Sequence, residues 1–149
     1  MKITLEQASL AEPEVTIRGE LGSPQVQALA AALQGMRGAG RLFLHREEKE
    51  YPVAPEEISF FEARANRVYA QVGGETYEAR YKLYELCELL QGRGFVQVSK
   101  GVVANVDHIR SVAAEFSGNY TAYLKDGKTR LTISRKYMKD FRKYVMEVK

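Results

Sequence analysis

A chain of 149 residues with 45% hydrophobic and 28% charged residues suits one domain, or one domain with a small appendage. No apolar run, the Ala/Leu run of QALAAAL included, approaches the roughly 18 residues that suggest a membrane span, and MKITLEQASL lacks the apolar stretch of a secretory signal. Membrane insertion and export are therefore not expected, and a cytoplasmic location is. The net charge of +3 conceals an asymmetry: residues 1–92 hold 10 Lys and Arg against 14 Asp and Glu, whereas residues 93–149 hold 12 against 5. A basic C-terminal part suits a polyanionic partner, though a merely solvated basic surface accounts for the charge equally well.

In chain order, KITLE and EVTIR alternate apolar and polar residues as half-buried strands do. Ser23 before Pro24 is a helix start, with proline tolerated in the first turn, and Val26, Leu29, Ala30 and Leu33 follow at helical spacing. The glycines of GMRGAG are expected to end that helix; with no GK[ST] after them they do not form a phosphate loop. RLFLH reads as a further strand before the charged turn HREEKE. Residues 1–50 are thus expected to form a small α/β extension.

From Tyr51 the pattern changes. ISFFEAR, RVYAQV and ETYEARY are strand-like runs separated by Ala65-Asn66 and Gly73-Gly74, the latter suited to a tight hairpin. KLYELCELL places Leu83, Leu86, Leu89 and Leu90 on one side of a short amphipathic helix, with Cys87 at core spacing as a structural thiol. The stretch QVSKGVVANVDHIRSV breaks sheet-forming sequence twice, at Lys100-Gly101 and at Asn105-Val106-Asp107. Lys125-Asp126-Gly127-Lys128 carries the Asp-Gly hairpin signal. A closing helix begins near Ser134 with Tyr137, Phe141, Tyr144 and Val148 as its apolar stripe. Strands outnumber helices and no regular βαβ alternation is present, which argues against a doubly wound parallel sheet.

Catalytic chemistry finds little support. The lone cysteine excludes an intrachain disulfide and a cysteine-pair metal site. His45 and His108 are the only histidines, fewer than a transition-metal cluster wants, and neither lies in a nucleophile motif. Glu47-Glu48 and Glu56-Glu57 are adjacent pairs whose side chains point apart, so solvated charge is the natural reading. Lys100, Arg135, Lys136, Lys139, Arg142 and Lys143 are donors suited to phosphate or base edges, and Asn66 and Arg67 could join them from a turn. Arginine can grip guanine with its planar fork and asparagine can grip adenine, whereas lysine mostly contributes charge. The basic positions of the last helix could equally solubilise its outer face.

FVQVSKGVVANVDHIRSV, followed by a hairpin with LKDGKTRLTISRKYMKDF, resembles the LytTR-type DNA-binding domain of bacterial transcription regulators. Phe95, Lys100, Val103, Asn105, Val106 and Ile109 meet its F-x-x-[IV]-x-[KR]-x-x-[IV]-[VL]-N-[LV]-x-x-I pattern, and Ile133, Ser134, Arg135 and Tyr137 meet its [IV]-S-R-x-[YF] step. PEEISFFEARANRVYAQV looks like the first hairpin of that domain, so the resemblance covers about residues 51–147. It implies a mainly β fold with short helices (α+β), an elongated antiparallel β-sheet domain over 51–149 behind the N-terminal extension of 1–50. It implies a non-enzymatic, stand-alone regulator whose loops enter the major groove of double-stranded DNA without metal or cofactor. A protein-interaction module that has lost DNA binding is the alternative.

Carried over position by position, the DNA-binding residues are Asn66 and Arg67 in the first turn, Ser99 and Lys100 at the first break, and Arg135 and Lys136 at the start of the last helix; Lys139, one turn further, is added to the DNA-binding set for its charge as a phosphate donor. Gly101 departs from the small hydroxyl residue many relatives carry. Asn105 reads as structural, folding the chain back through side-chain-to-backbone hydrogen bonds. The residues before position 51 are too few for a phosphorylated receiver domain, so control by aspartyl phosphorylation on this chain is not expected. They are read as a homodimerisation element, with an unidentified regulatory protein as a further partner.

Overall fold

The computed structural model describes residues 1–9, 13–37 and 40–147, and it divides into two compact units, Met1–Gln34 and Gly35–Lys149. In the first unit helix α1 (Pro24–Arg37) starts where Ser23 Oγ accepts the Val26 amide at 3.3 Å. That bond satisfies one of the amides a helix start leaves free. Val26, Leu29, Ala30 and Leu33 are the half-buried positions, as their spacing predicts. Gly38, part of the expected glycine stop, lies outside the described residues.

The strands expected at KITLE and EVTIR are absent. Both runs carry no ladder, and Ile3, Leu5 and Val15 are exposed. Alternation marks a residue fit for a half-buried strand, but a strand also needs a neighbour to take its amides and carbonyls. The described part of this unit provides none.

The second unit is two antiparallel sheets and two helices. Its strands are β1 (Leu42–Arg46), β2 (Lys49–Val53), β3 (Ile58–Arg64), β4 (Arg67–Val72), β5 (Glu75–Ala79), β6 (Phe95–Ser99), β7 (Val102–Asn105), β8 (Ile109–Ala114), β9 (Tyr120–Leu124) and β10 (Arg130–Ile133); the helices are α2 (Leu83–Leu89) and α3 (Arg135–Glu147). Seven strands form one sheet in the order β2-β1-β5-β4-β3-β7-β6, and three form the other in the order β10-β9-β8. The expectation of a mainly antiparallel β domain with short helices holds. β2 was not expected as a strand, and the boundary drawn at residue 50 falls inside it. β1 joins the sheet by pairing His45 with Glu78 of β5, so this sheet begins at Leu42.

The large sheet buries both faces, and β3 shows how. Phe61 belongs to a core with Leu44, Ile58, Ala70, Leu86 and Val103, on the face covered by α2. Phe60 belongs instead to a second core with Val98, Ala104, Leu131, Ile133 and Phe141, on the face covered by the small sheet and α3. Consecutive residues of a strand point to opposite faces, so adjacent phenylalanines serve two cores. A bulge between Ile58 and Phe60 resets the alternation. Fully burying each such ring stabilises the fold by about 1.5–3 kcal/mol.

The helices differ in detail from expectation. On α2, Leu86 is buried with Leu90 just past its end and Cys87 half-buried beside them, but Leu89 is exposed. Burial holds the Cys87 thiol above its ordinary pKa, with Glu88 adding to the effect. On α3 the buried positions are Met138 and Phe141, flanked by half-buried Tyr137 and Tyr144; Val148 of the expected stripe lies outside the described residues.

The Asp-Gly turn between β9 and β10 is closed by its aspartate. The Asp126 carboxylate accepts the Lys128 amide at 2.9 Å, the Thr129 amide at 2.8 Å and the Thr129 hydroxyl at 2.5 Å. These bonds, the Thr129 hydroxyl first, lower its pKa from 3.8 to about 2. A depressed carboxyl pKa means that the loop contacts are fully present above the unfolded value and are lost as pH falls through the folded one. A carboxyl-carbon NMR titration of Asp126 should therefore show a midpoint of about 2, and Thr129→Ala should move it upward.

Candidate nucleic-acid interface

Three turns of the second unit lie side by side, tied by main-chain hydrogen bonds. The β3–β4 turn has Ala65 and Asn66 at φ 47° and 67°, positive at both central positions as a tight hairpin of matching twist requires. Next to it the Ala63 amide donates to the Gly101 carbonyl at 2.8 Å, joining the end of β3 to the β6–β7 turn. The pairings Glu62–Val102 and Phe60–Ala104 put both turns at the same end of the sheet. With strands about 4.8 Å apart and the order β4-β3-β7-β6, the two turns are about 10 Å apart, within the roughly 12 Å width of a major groove.

The third turn precedes α3. The Ser134 amide donates to the Val98 carbonyl at 2.8 Å, which anchors the helix start to β6 just before Ser99 and Lys100. The Arg135 amide then donates to Asn119 Oδ1 at 3.0 Å. Asn119 closes the β8–β9 turn, where the Glu115 amide donates to its carbonyl at 2.9 Å. Gly118 in this turn has φ 93°, and a Cβ there would lie 3.4 Å from both Cδ and Nη1 of Arg135. The positive φ is what calls for glycine here, and the Arg135 side chain packs beside the turn at ordinary contact distance. Ser117, Asn119, Ser134, Arg135 and Lys136 line one shallow groove.

Each expected residue can now be placed. Lys100 and Arg135 are exposed and make no ion pair among the described residues, so their donors are available to a ligand. Ser99 is half-buried beside Lys100. Asn66 is exposed at its turn, whereas Arg67 donates through Nη1 to Glu78 Oε2 at 3.0 Å. Glu78 also accepts from Arg80 Nε at 3.2 Å, and these arginines, Arg80 foremost, depress its pKa. Arg67 is therefore partly committed to its neighbouring strand, and Asn66 is the freer of the pair.

With 3.6 residues per turn, Lys136, Lys139 and Lys143 fall on the side of α3 away from Met138 and Phe141, with Arg135 and Arg142 on its flank. Arg142 lies over the Tyr120 ring, its Cζ 5.6 Å from the centroid, while Lys139 sits one turn beyond Arg135 and is likewise exposed. Tyr69 and Tyr123 are half-buried, and the guanidinium carbons of Arg64 and Arg130 lie over their rings at 4.7 and 5.4 Å.

Asn105 belongs to the frame and not to the surface. It is buried, donates Nδ2–H to the Ile58 carbonyl at 3.0 Å, and accepts the Asp107 amide on Oδ1 at 3.0 Å. Gly101 has room for a side chain, since a Cβ there meets only the Ala63 carbonyl at 3.7 Å. Asn119 and Gly118, which hold Arg135, were not singled out from the sequence. Their signal was the turn composition of Ser117-Gly118-Asn119 between two strands.

A model of the LytTr DNA-binding domain matches residues 48–146. The chain belongs to the LytTr DNA-binding domain family. That family is, by its description, one of DNA-binding domains. Residues of this chain are 28% identical over 103 positions to the sensory transduction protein LytT of Bacillus anthracis, covering 69% of this chain and 42% of that protein. The same figures hold for the LytT protein of Bacillus cereus strain ATCC 14579. The chain thus spans about two fifths of the length of these relatives. A solved LytTr DNA-binding domain from Bacillus cereus superimposes with a TM-score of 0.67 at 23% identity, over 71% of this chain and 96% of that one, which shows the shared fold. Among the described residues, no helix is long and apolar enough to cross a membrane.

Proposed function

We propose that this LytTr domain recognises a specific sequence of double-stranded DNA by inserting its aligned turns into the major groove. The observation that carries this reading is the row of main-chain bonds Ala63–Gly101 and Ser134–Val98, which sets Asn66, Lys100 and Arg135 along one end of a sheet buried on both faces. Loops on such a scaffold keep their spacing when a ligand arrives. Arg135, with Lys100 beside it, selects bases; Lys136 and Lys139 neutralise phosphates; Ser99, Asn66 and Arg67 position the edges of the contact.

Selection of bound duplexes from a random pool, followed by anisotropy titrations at several salt concentrations, tests this. A preferred sequence should emerge, with affinity falling log-linearly in salt by about 0.9 per neutralised phosphate. Equal affinity for selected and random duplexes would sink the sequence-reading function. Lys139→Ala should weaken selected and random duplexes alike and reduce the salt slope by about 0.9; a changed preference would assign Lys139 to bases instead.

The first unit we read as a dimerisation element. Ile3, Leu5, Val15 and Leu21 expose apolar side chains there, and a two-fold dimer would let two domains engage repeated half-sites. Light scattering should give the full chain twice its monomer mass and residues 40–149 a single one. Equal association states for the two would remove this role.

A further inference from the structure

Phe116 is the most exposed large apolar residue of the described chain, at 112% of its reference accessibility. It stands in the turn between β8 and β9, and the turn is ordered. The Glu115 amide donates to the Asn119 carbonyl and the Gly118 amide to the Glu115 carbonyl at 2.9 and 3.2 Å. Ser117 Oγ donates to Glu115 Oε2 at 3.3 Å, and the Thr121 hydroxyl donates to Glu115 Oε1. The local acid thus has its oxygens engaged, and a bare phenyl ring is held in water on a fixed platform.

That platform is attached to Arg135. Asn119 takes the Arg135 amide, Gly118 lies against the Arg135 side chain, and Ser117 and Asn119 share a groove with Arg135 and Lys136. Phe116 is two residues from Gly118, so their Cα atoms lie within about 7 Å, or about two steps of 3.4 Å along a DNA strand. Cationic neighbours make a polyanion the fitting occupant of this surface. The major groove of DNA offers one apolar feature, the thymine methyl group, for which phenylalanine is a suitable contact.

We propose that Phe116 is a specificity-determining residue whose ring packs on a thymine C5-methyl within about two base pairs of the base read by Arg135. The assignment rests on the duplex-reading function proposed above. It adds an A·T preference that hydrogen-bond donors alone do not supply. β8 serves as the arm that carries the ring: Arg110 to Ala114 are all exposed, with Ile109 half-buried at the base.

The test uses the full chain and the duplex selected by it. Thymines are replaced one at a time by deoxyuridine, which removes only the methyl group. At one thymine near the position where Arg135→Ala loses discrimination, the replacement should weaken the wild-type chain about three- to tenfold. Phe116→Ala should bind the thymine and deoxyuridine duplexes equally, and Phe116→Leu should keep part of the difference. The ring is exposed, so melting temperatures should match and exclude misfolding as the cause. Unchanged thymine discrimination in Phe116→Ala overturns the proposal, as does equal weakening on selected and random duplexes, the mark of a non-specific wedge. A fall in molecular mass on Phe116→Ala with discrimination retained also overturns it and assigns the ring to a second copy. If the wild-type chain prefers no duplex at all, the sequence-reading function falls and this inference with it; if the wild type discriminates and Phe116→Ala does so equally, only this inference falls.

Discussion

Arg135→Ala is expected to weaken binding to the selected duplex by about 1–3 kcal/mol, roughly five- to 150-fold, and to flatten preference at one base pair. The size follows from where the residue sits. Its backbone is fixed twice, by the Ser134–Val98 bond before it and by Asn119 Oδ1 on its own amide, so the guanidinium needs little ordering before it meets a base. It has no carboxylate to leave among the described residues, so no ion pair offsets the gain. Arg67 is the internal control: bound to Glu78 at 3.0 Å, it must surrender that contact, and Arg67→Ala should cost less than Arg135→Ala. Arg135→Lys should recover charge but not the planar fork, restoring affinity for random duplexes while leaving the base preference flat. Competition titrations against single-base variants of the selected duplex separate these outcomes. Uniform weakening across all variants would mean that Arg135 only positions the domain.

Asn119→Ala probes the same device from the other side. It removes the acceptor of the Arg135 amide without touching a cation. A loss of base preference there, with the salt slope unchanged, would locate specificity in how the arginine is held.

Legibility from sequence followed a physical division. β4 was readable to the residue because its alternation, and β3 because its β-branched and aromatic run, agree with the tertiary pairing across the Ala65-Asn66 turn. KITLE and EVTIR show the same alternation yet stay unpaired, because pattern describes one strand and pairing requires two. β2 escaped for the opposite reason. As an edge strand it carries Lys49, Glu50 and Pro52, the charge and proline that protect an edge from further pairing, and these residues erase a strand's usual signature. Leu89 shared the spacing of the α2 stripe, but a two-turn helix against a flat sheet buries only Leu86 and its nearest neighbours.

The candidate site was partly legible in the same sense. Lys100 and Arg135 stood out because breaks in sheet sequence and the Ser-Arg step mark loops and a helix start. The tie between Arg67 and Glu78 depends on β4 pairing with β5 through Tyr69 and Glu78, and no local pattern reveals it. Nor does one reveal that Asn119, sixteen residues before Arg135, caps its amide.

Asn105→Ala is expected to cost about 2–4 kcal/mol of stability, since it strands one buried carbonyl and removes a cap. The carbonyl is that of Ile58, at the start of β3, and the uncapped amide is Asp107 in the single 3-10 turn Val106–His108. Around it, Val106 donates its amide to the Gly94 carbonyl at 2.8 Å and Gly94 donates to the Tyr144 hydroxyl at 3.0 Å, so β6, β7 and α3 all meet at this residue. The melting temperature should fall by about 10 °C. Asn105 lies three residues along β7 from Val102, about 10 Å from the Lys100 end. Below the melting transition the duplex preference of Asn105→Ala should therefore be that of the wild type, and a changed preference would show that the far end of the sheet reaches the site. Asn105→Asp separates hydrogen bonding from packing, because it keeps the volume and loses the donor. Its carboxyl can donate to the Ile58 carbonyl only when protonated, so its folded pKa must lie above the unfolded value of about 3.9. Below that pH the variant should approach wild-type stability, and it should lose stability as pH rises from there toward neutrality. A flat difference from wild type between pH 3 and pH 7 would show that the cavity, and not the donor to Ile58, dominates at this junction.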